Sequence, residues 1–234
     1  MNNHKQNENW NQYIGSIWRE IFKEIQFPKK GKIIEIAPGY MNKIGVGLQQ
    51  YGYKGTIYII EPNKKSLDTI TEKYNQLEFN NVISIQSTLD KAIPSLPECD
   101  AIVSNHPLDD IIIGKFLDKN SFDKLFDNHY ESHIDITMTH WENLCADSKL
   151  LDKIKKETIN DWNKIIEKVN PKIVLISQYE SHFFQSNNLI NPDIHAIEVL
   201  QQLRLNYSEQ DYSKILVNNK FIEKYENWMI IKRK

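Results

Sequence analysis

The amino-acid sequence predicts an α/β fold, a doubly wound, mostly parallel seven-stranded sheet with a reversed last strand, plus an N-terminal helix and a helical insert after the fourth strand. Three observations carry that expectation. Short apolar runs alternate with helix-patterned segments through the first half of the chain, a pace that fits parallel strands joined by right-handed crossovers with helices on both faces. Acidic and small residues stand at the ends of those runs, where open parallel sheets hold their ligands. Two β-prone runs then flank the turn pair Asn218-Asn219 near the end of the chain, which suits a closing antiparallel pair.

The elements follow in order. Trp10, Tyr13, Ile14, Ile17, Trp18, Ile21, Phe22 and Ile25 recur at the spacing that puts them on one face of an amphipathic helix. Pro28 ends it, because the residue before a proline is driven out of helical geometry. The run 33–36 reads as the first strand, 42–51 as a helix closed by Gly52, and 56–60 as the second strand. Asn63 is placed to cap a helix over 64–77, followed by strands at 82–86 and 100–104. From 108 to 170 the pattern turns helical and polar, which gives the insert, and Pro171 stops it. A strand at 172–177, a helix at 192–205 and the closing pair 214–217 and 228–232 complete the chain. The expected organisation is therefore an N-terminal amphipathic helix over 1–30 and one wound-sheet domain over 31–234 that carries the insert 108–170.

With 234 residues, 40% of them hydrophobic and 26% charged, the chain can build one sizeable core. No apolar run approaches the ~18 residues that span a bilayer, and the polar N-terminus lacks the pattern of a secretory or transit peptide. A cytoplasmic location with no membrane partner is expected. A net charge of −2 disfavours a nucleic-acid substrate, whose backbone calls for a clustered basic excess. Cys99 and Cys145 read as reduced packing residues. His129, His133, Asp135 and His140 lack a third ligand at a diagnostic spacing, so no metal is expected.

Ligands of a doubly wound sheet lie beyond the carboxyl ends of its strands, where strand order reverses. Glu35, Ala37-Pro38-Gly39, Glu61, Ser87-Thr88, Asn105-His106-Pro107 and Ser177-Gln178 all fall at such ends. Gly39 supplies permissive dihedrals to the first turn, and Glu61 stands about 20 residues further on, where an acid accepts ribose hydroxyls. A dinucleotide pyrophosphate needs three glycines in that turn, whereas this chain offers Ala37, Gly39 and Asn42. The phosphate loop of nucleotide hydrolases and the nucleophile elbow of serine hydrolases are both missing from the sequence.

On these residues the chain resembles the class I, Rossmann-like, S-adenosylmethionine-dependent methyltransferases. The segment EIAPGYM, Glu35 through Met41, is similar to their first motif, and IYIIEP with Glu61 to their ribose-binding strand end. IQSTLD resembles the segment beside adenine, CDAIVSNHPLDD the fourth-strand motif at the catalytic opening, and the closing pair the reversed seventh strand. The resemblance spans 31–104 and, more loosely, 172 onward. It implies S-adenosyl-L-methionine as cofactor, with Glu35, Ala37, Pro38, Gly39 and Tyr40 at the methionine end and Glu61 and Pro62 at the ribose. Ser87, Thr88 and Leu89 would border adenine, and Ser104 would flank the opening.

Asn105 and His106 are the expected catalytic residues, His106 as proton acceptor since an unperturbed imidazole titrates at about 6.5. Asp109, Asp110, His140, Trp141 and Gln178 are expected toward a small-molecule acceptor. Asp109, Asp110, Asp118, Asp123, Asp127, Glu131 and Asp135 outnumber Lys115, Lys119 and Lys124 near the expected opening, which points to an amine-bearing or neutral one. Two alternatives stay open. One is transfer of the aminocarboxypropyl or aminopropyl arm of the same cofactor, as in nicotianamine-synthase-like and spermidine-synthase-like relatives, with Asp109 and Asp110 holding the amine. The other is a non-catalytic binding or scaffold protein, consistent with Ala37 and Met41 at positions where glycine is usual. No feature of the sequence sets an oligomeric state.

Overall fold

The computed structural model describes residues 2–127, 134–207 and 227–233. Among them, six strands form one sheet in the order β3-β2-β1-β4-β5-β6. The strands are β1 (Lys32–Ile36), β2 (Thr56–Ile60), β3 (Val82–Ile85), β4 (Ala101–Asn105), β5 (Ile173–Ser177) and β6 (Trp228–Lys232). β1 to β5 run parallel and β6 pairs antiparallel with β5, so the expected reversal at the end of the sheet is present. Six strands stand where seven are expected, and the run 214–217 lies outside the described residues.

Period-two alternation splits the strand residues between two cores. Ile33, Ile57, Ile59, Val103 and Leu175 face α1 (Asn2–Glu24), α2 (Lys43–Tyr51) and α3 (Lys64–Gln76). Ile34, Ile36, Ile60, Ile102, Val174 and Ile176 face the opposite layer. That layer comprises α4 (Leu89–Ala92), α5 (Leu108–Phe116), α6 (Lys119–Phe126), α7 (Ile134–Ala146), α8 (Ser148–Val169), α9 (His182–Ser186) and α10 (Asn191–Leu205). Strands buried on both faces need apolar residues at nearly every position, which is why the runs in the sequence are continuous rather than alternating. The insert becomes α5 to α8, and its two tryptophans, Trp141 and Trp162, are buried in the core of this layer.

Local chemistry accounts for several boundaries. Gly52 stops α2 in the left-handed region at φ 83, and the Asn63 side chain accepts the Ser66 amide to open α3. Asp118 and Asp147 cap α6 and α8 in the same way. The short α4 and α9 escape sequence reading because four or five residues do not establish a helical period.

The first helix is integral to the sheet's packing. A Cβ on Gly15 would stand 2.5 Å from Val46, and one on Gly47 2.6 Å from Trp18 Cβ, so α1 and α2 approach nearly backbone to backbone. Gly45 does the same for α3, because a Cβ there would meet the Tyr74 ring at 2.7 Å. Gly45→Ala should therefore displace Tyr74 and lower stability by about 1–3 kcal/mol through overpacking. Urea denaturation reads this directly, and an unchanged midpoint would mean that Tyr74 yields without loss.

Candidate functional site

Strand order reverses between β1 and β4, and a cleft of about 160 Å³ opens at their carboxyl ends. Both strands leave the sheet through a residue at positive φ, Ala37 at 50° and His106 at 58°. Gly39 follows at 58°, and the space where its Cβ would stand is empty. Non-glycine residues in this region cost about 1 kcal/mol or more and persist where neighbours over-determine them. Here the neighbours are backbone partners, since the Ala37 amide donates to the Ile60 carbonyl at 2.9 Å and the His106 amide to the Ser177 carbonyl at 2.7 Å. Ser104 Oγ also donates to the Ile36 carbonyl, which ties the two strand ends together.

Two carboxyl groups stand behind the first turn. Glu61, at the end of β2, accepts the Gly39 amide at 3.2 Å and the Asn63 amide at 3.0 Å, so it bridges the turn and the start of α3. Burial pushes it up to about 7 despite those two donors. Glu35 lies deeper, only 1% exposed, and the Tyr74 hydroxyl donates to it. Burial, with a smaller contribution from Glu61, pushes Glu35 up to about 8 even though the Tyr74 bond pulls the other way.

The β4 and β5 ends carry a buried polar network. His106 Nδ1 lies 3.0 Å from Asp109 Oδ1 and its Nε2 lies 2.6 Å from the Tyr179 carbonyl, so both nitrogens face acceptors. Burial alone would hold this imidazole down, but the charge and hydrogen bond of Asp109 push it up to about 10. Gln178 donates to Asp109 at 3.1 Å and accepts the Leu108 amide at 2.9 Å, which fixes the start of α5. Asn105 accepts from Trp18 Nε1 at 3.0 Å and from Ser177 Oγ at 3.2 Å, and its amide nitrogen reaches Tyr179 Oη at 3.3 Å.

Over the mouth of the cleft stands the end of α6. Tyr40 Oη donates to the Phe126 carbonyl at 2.8 Å, and Asn63 donates to Asp127 at 2.8 Å. Lys65 reaches the Asp127 carbonyl and Lys73 the Tyr40 carbonyl, both at 2.6 Å. Ser66, buried at the start of α3, also lines the cleft, with its hydroxyl near that of Tyr40.

Several sequence expectations change against this geometry. Glu35, Ala37, Pro38, Gly39, Tyr40, Asn105, His106 and Asp110 all line the cleft. Glu61 borders it through Gly39, and Pro62 lies between the two residues that its turn connects, Glu61 and Asn63. His106 is doubly engaged and held as imidazolium, so it has no lone pair with which to take a proton. Asn105 orients its neighbours, Ser104 stitches β1 to β4, and Leu89 packs in the core. Ser87 and Thr88 precede α4 and are not among the residues lining the cleft. Trp141 is fully buried in the helical layer, Gln178 and Asp109 are spent on each other and on His106, and His140 is outside the lining.

The acidic excess of the insert is likewise largely committed. Asp118 caps α6, Asp127 bonds Asn63, and Asp161 of α8 pairs with Lys115 at 2.7 Å. His129, Glu131 and His133 lie outside the described residues. Met41, part of the first motif, lines the cleft as well, and sequence reading missed Lys43, Ser66, Phe126 and Tyr179. Only Tyr179 carried a signal, as the residue directly after Ser177-Gln178 at a strand end.

No known protein-family model matches the chain, and a comparison with curated proteins finds no relative. Among solved structures, the chain is similar to the methyltransferase domain of bacterial CtHen1, at 13% identity and a TM-score of 0.48 over 94% of this chain and 97% of that one. It is also similar to precorrin-8w decarboxylase of Methanobacterium thermoautotrophicum, at 11% identity and a TM-score of 0.43 over 80% and 70% of the two chains. Similarity to coclaurine N-methyltransferase bound to N-methylheliamine and SAH, at 11% identity and a TM-score of 0.32, covers 39% of this chain and spans only 26% of that one.

The buried groups make stability depend on pH with a definite sign. Glu35 and Glu61 have folded-state values above the 4.5 of an exposed carboxyl, so the folded chain keeps protons that the unfolded chain releases. Folding is favoured on the acid side, and that advantage is lost as pH rises through about 7 and 8. His106 adds stability that is complete below the 6.5 of a free imidazole and is lost through about 10. Glu35→Gln keeps an acceptor for Tyr74 and removes the ionisation. In urea titrations it should flatten the decline above neutrality and exceed the wild type by roughly 1–3 kcal/mol near pH 9; parallel curves for the two proteins would show Glu35 to be already ionised.

Proposed function

We propose that the chain is an S-adenosylmethionine-dependent methyltransferase acting on a small, amine-bearing or neutral acceptor. The observation that carries this reading is the pair of carboxyl groups behind the Gly39 turn, beside the crevice where strand order reverses. An acid at the end of β2 suits two vicinal ribose hydroxyls, and the empty space at Gly39 lets a ligand approach the backbone.

The residues present fit the cofactor's chemistry. Ser66 Oγ is a buried hydroxyl on the cleft wall, and Glu61 keeps lone pairs beyond those used by Gly39 and Asn63. Volume is the constraint: about 160 Å³ falls short of the ~300 Å³ and more that ligand pockets offer. Tyr40 and Phe126 must therefore part from each other for a nucleoside to enter.

When bound, the cofactor supplies an electrophilic methyl carbon on a positively charged sulfur. The protein aligns and excludes water. Glu61, once ionised, accepts from the sugar, and the Gly39 turn follows the ligand's contour. Glu35, while neutral, still accepts from Tyr74 of α3, whose ring packs against Gly45 of α2. Tyr40 and the α6 end close over the cleft, while Asp110 stands at its acceptor side.

Product analysis tests the reading. S-adenosylhomocysteine is the expected product, whereas methylthioadenosine would indicate transfer of the other arm and neither product a chain that only binds. Calorimetry supplies an independent check: Glu61→Ala should weaken S-adenosylmethionine binding by roughly 2–3 kcal/mol, about 30- to 150-fold. Equal affinity for the two proteins would take Glu61 out of the site.

A further inference from the structure

Tyr179 follows directly on β5, and its phenol oxygen is the point on which two donors converge. Lys43 Nζ lies 3.3 Å from it, reaching in from the first turn of α2, and Asn105 Nδ2 lies 3.3 Å from it on the other side. The orientation of the Asn105 amide is not arbitrary. An indole N–H can only donate, so the atom 3.0 Å from Trp18 Nε1 must be the amide oxygen, and the nitrogen is left facing Tyr179. The His106 ring stands 4.7 Å away, centroid to centroid, and it is cationic. Lys43, Asn105 and His106 all line the cleft, and the partly exposed phenol bonds the first two of them.

Charge around the phenol comes from every neighbouring element. Lys43 on α2 and His106 at the end of β4 are positive, while Asp109 and Asp110 on α5, Asp193 on α10 and Glu180 beside it are negative or can become so. Asp109 is compensated by His106 and Gln178, and burial holds Asp193 up at about 6 while Ser181 donates to it. The cations are thus the groups that act directly on Tyr179. Burial would raise this phenol, but Lys43, His106 and the Asn105 hydrogen bond together hold it below its ordinary value. Tyr40, Tyr51, Tyr53 and Tyr74 are all pushed the opposite way by burial.

We infer that the Tyr179 hydroxyl, held by Lys43 and Asn105 beside the cleft, is the base that deprotonates the acceptor, and that the acceptor is an alkylamine. This inference rests on the methyltransferase reading above. His106 cannot serve, since both its nitrogens already donate. Matching of acidities selects the substrate class. An alkylammonium titrates near 10, and a phenol lowered from that same range still lies far closer to it than an ordinary carboxylate near 4, which is a much weaker base. The ammonium proton passes to the phenolate oxygen, leaving a lone pair on nitrogen. That pair forms the new bond to the methyl carbon, the carbon–sulfur pair returns to sulfur, and the positive charge moves from sulfur to the product nitrogen. The phenol later releases its proton to solvent.

The first test uses the full chain without cofactor. Ultraviolet titration of tyrosinate should show one of the 11 tyrosines ionising before the rest. That step should vanish in Tyr179→Phe and move to higher pH in Lys43→Met; a Tyr179→Phe curve that retains the early step overturns the inference. The second test supplies S-adenosylmethionine with propylamine and benzylamine as probes. Tyr179→Phe should lower kcat about 100-fold with KM and cofactor affinity held. A wild-type rate in that variant removes the base role, and no rise in S-adenosylhomocysteine above the amine-free level removes alkylamines as the acceptor class. Calorimetry separates this from the parent reading: a wild-type chain that binds no S-adenosylmethionine overturns the methyltransferase assignment, while the titration reports on Tyr179 regardless.

Discussion

Everything at the cleft depends on how β1 and β4 leave the sheet. At Ala37 and His106 the backbone turns into a conformation that most side chains avoid, and it is held there by amide bonds to the neighbouring strands. Those bonds come from the two flanking strands, β2 and β5, so the crevice is set by four adjacent strand ends acting together. A turn that glycine would adopt freely is instead imposed on alanine and histidine by the sheet. The opening is consequently a property of strand order and not of one flexible loop.

Around that opening the protein keeps its ionisable groups in unusual states, and one rule explains each of them. Burial favours the neutral form of an ionisable group unless a partner of opposite charge offsets it. Among the described residues Glu35 and Glu61 meet neutral hydrogen-bond donors, which do not offset burial, and both are raised, to about 8 and about 7. His106 meets a carboxylate and stays charged. Carboxyl groups of weakened acidity on the β1–β2 side and a cation on the β4–β5 side give the cleft a polarity that the bare sequence does not convey.

The alternation of strands and helices was readable because burial on both faces forces continuous apolar runs, and the strand ends followed from those runs. Glu35, Gly39, Asn105 and His106 reached the cleft for that reason. What escaped the sequence were contacts between residues far apart in the chain. Trp18 meets Asn105 across 87 positions, and Tyr40 meets Phe126 across 86, and no local pattern encodes either pairing. The state of His106 was within reach, since Asp109 stands three residues later on the same helix start, but its second partner comes from the β5 end. Trp141 illustrates the reverse error, because an aromatic in a polar helix looks available until neighbouring helices cover it.

One feature of the first helix reaches further than packing. Trp18 seats the amide of Asn105 and stacks edge-on against Trp228 at 5.2 Å, so α1 touches both the rim of the cleft and the reversed strand. A displacement of α1 would reach that rim through this indole and through the Asn11–Asn42 bond at the start of α2. The first helix is thereby a lever on the shape of the cleft, although it is not among the elements that line it.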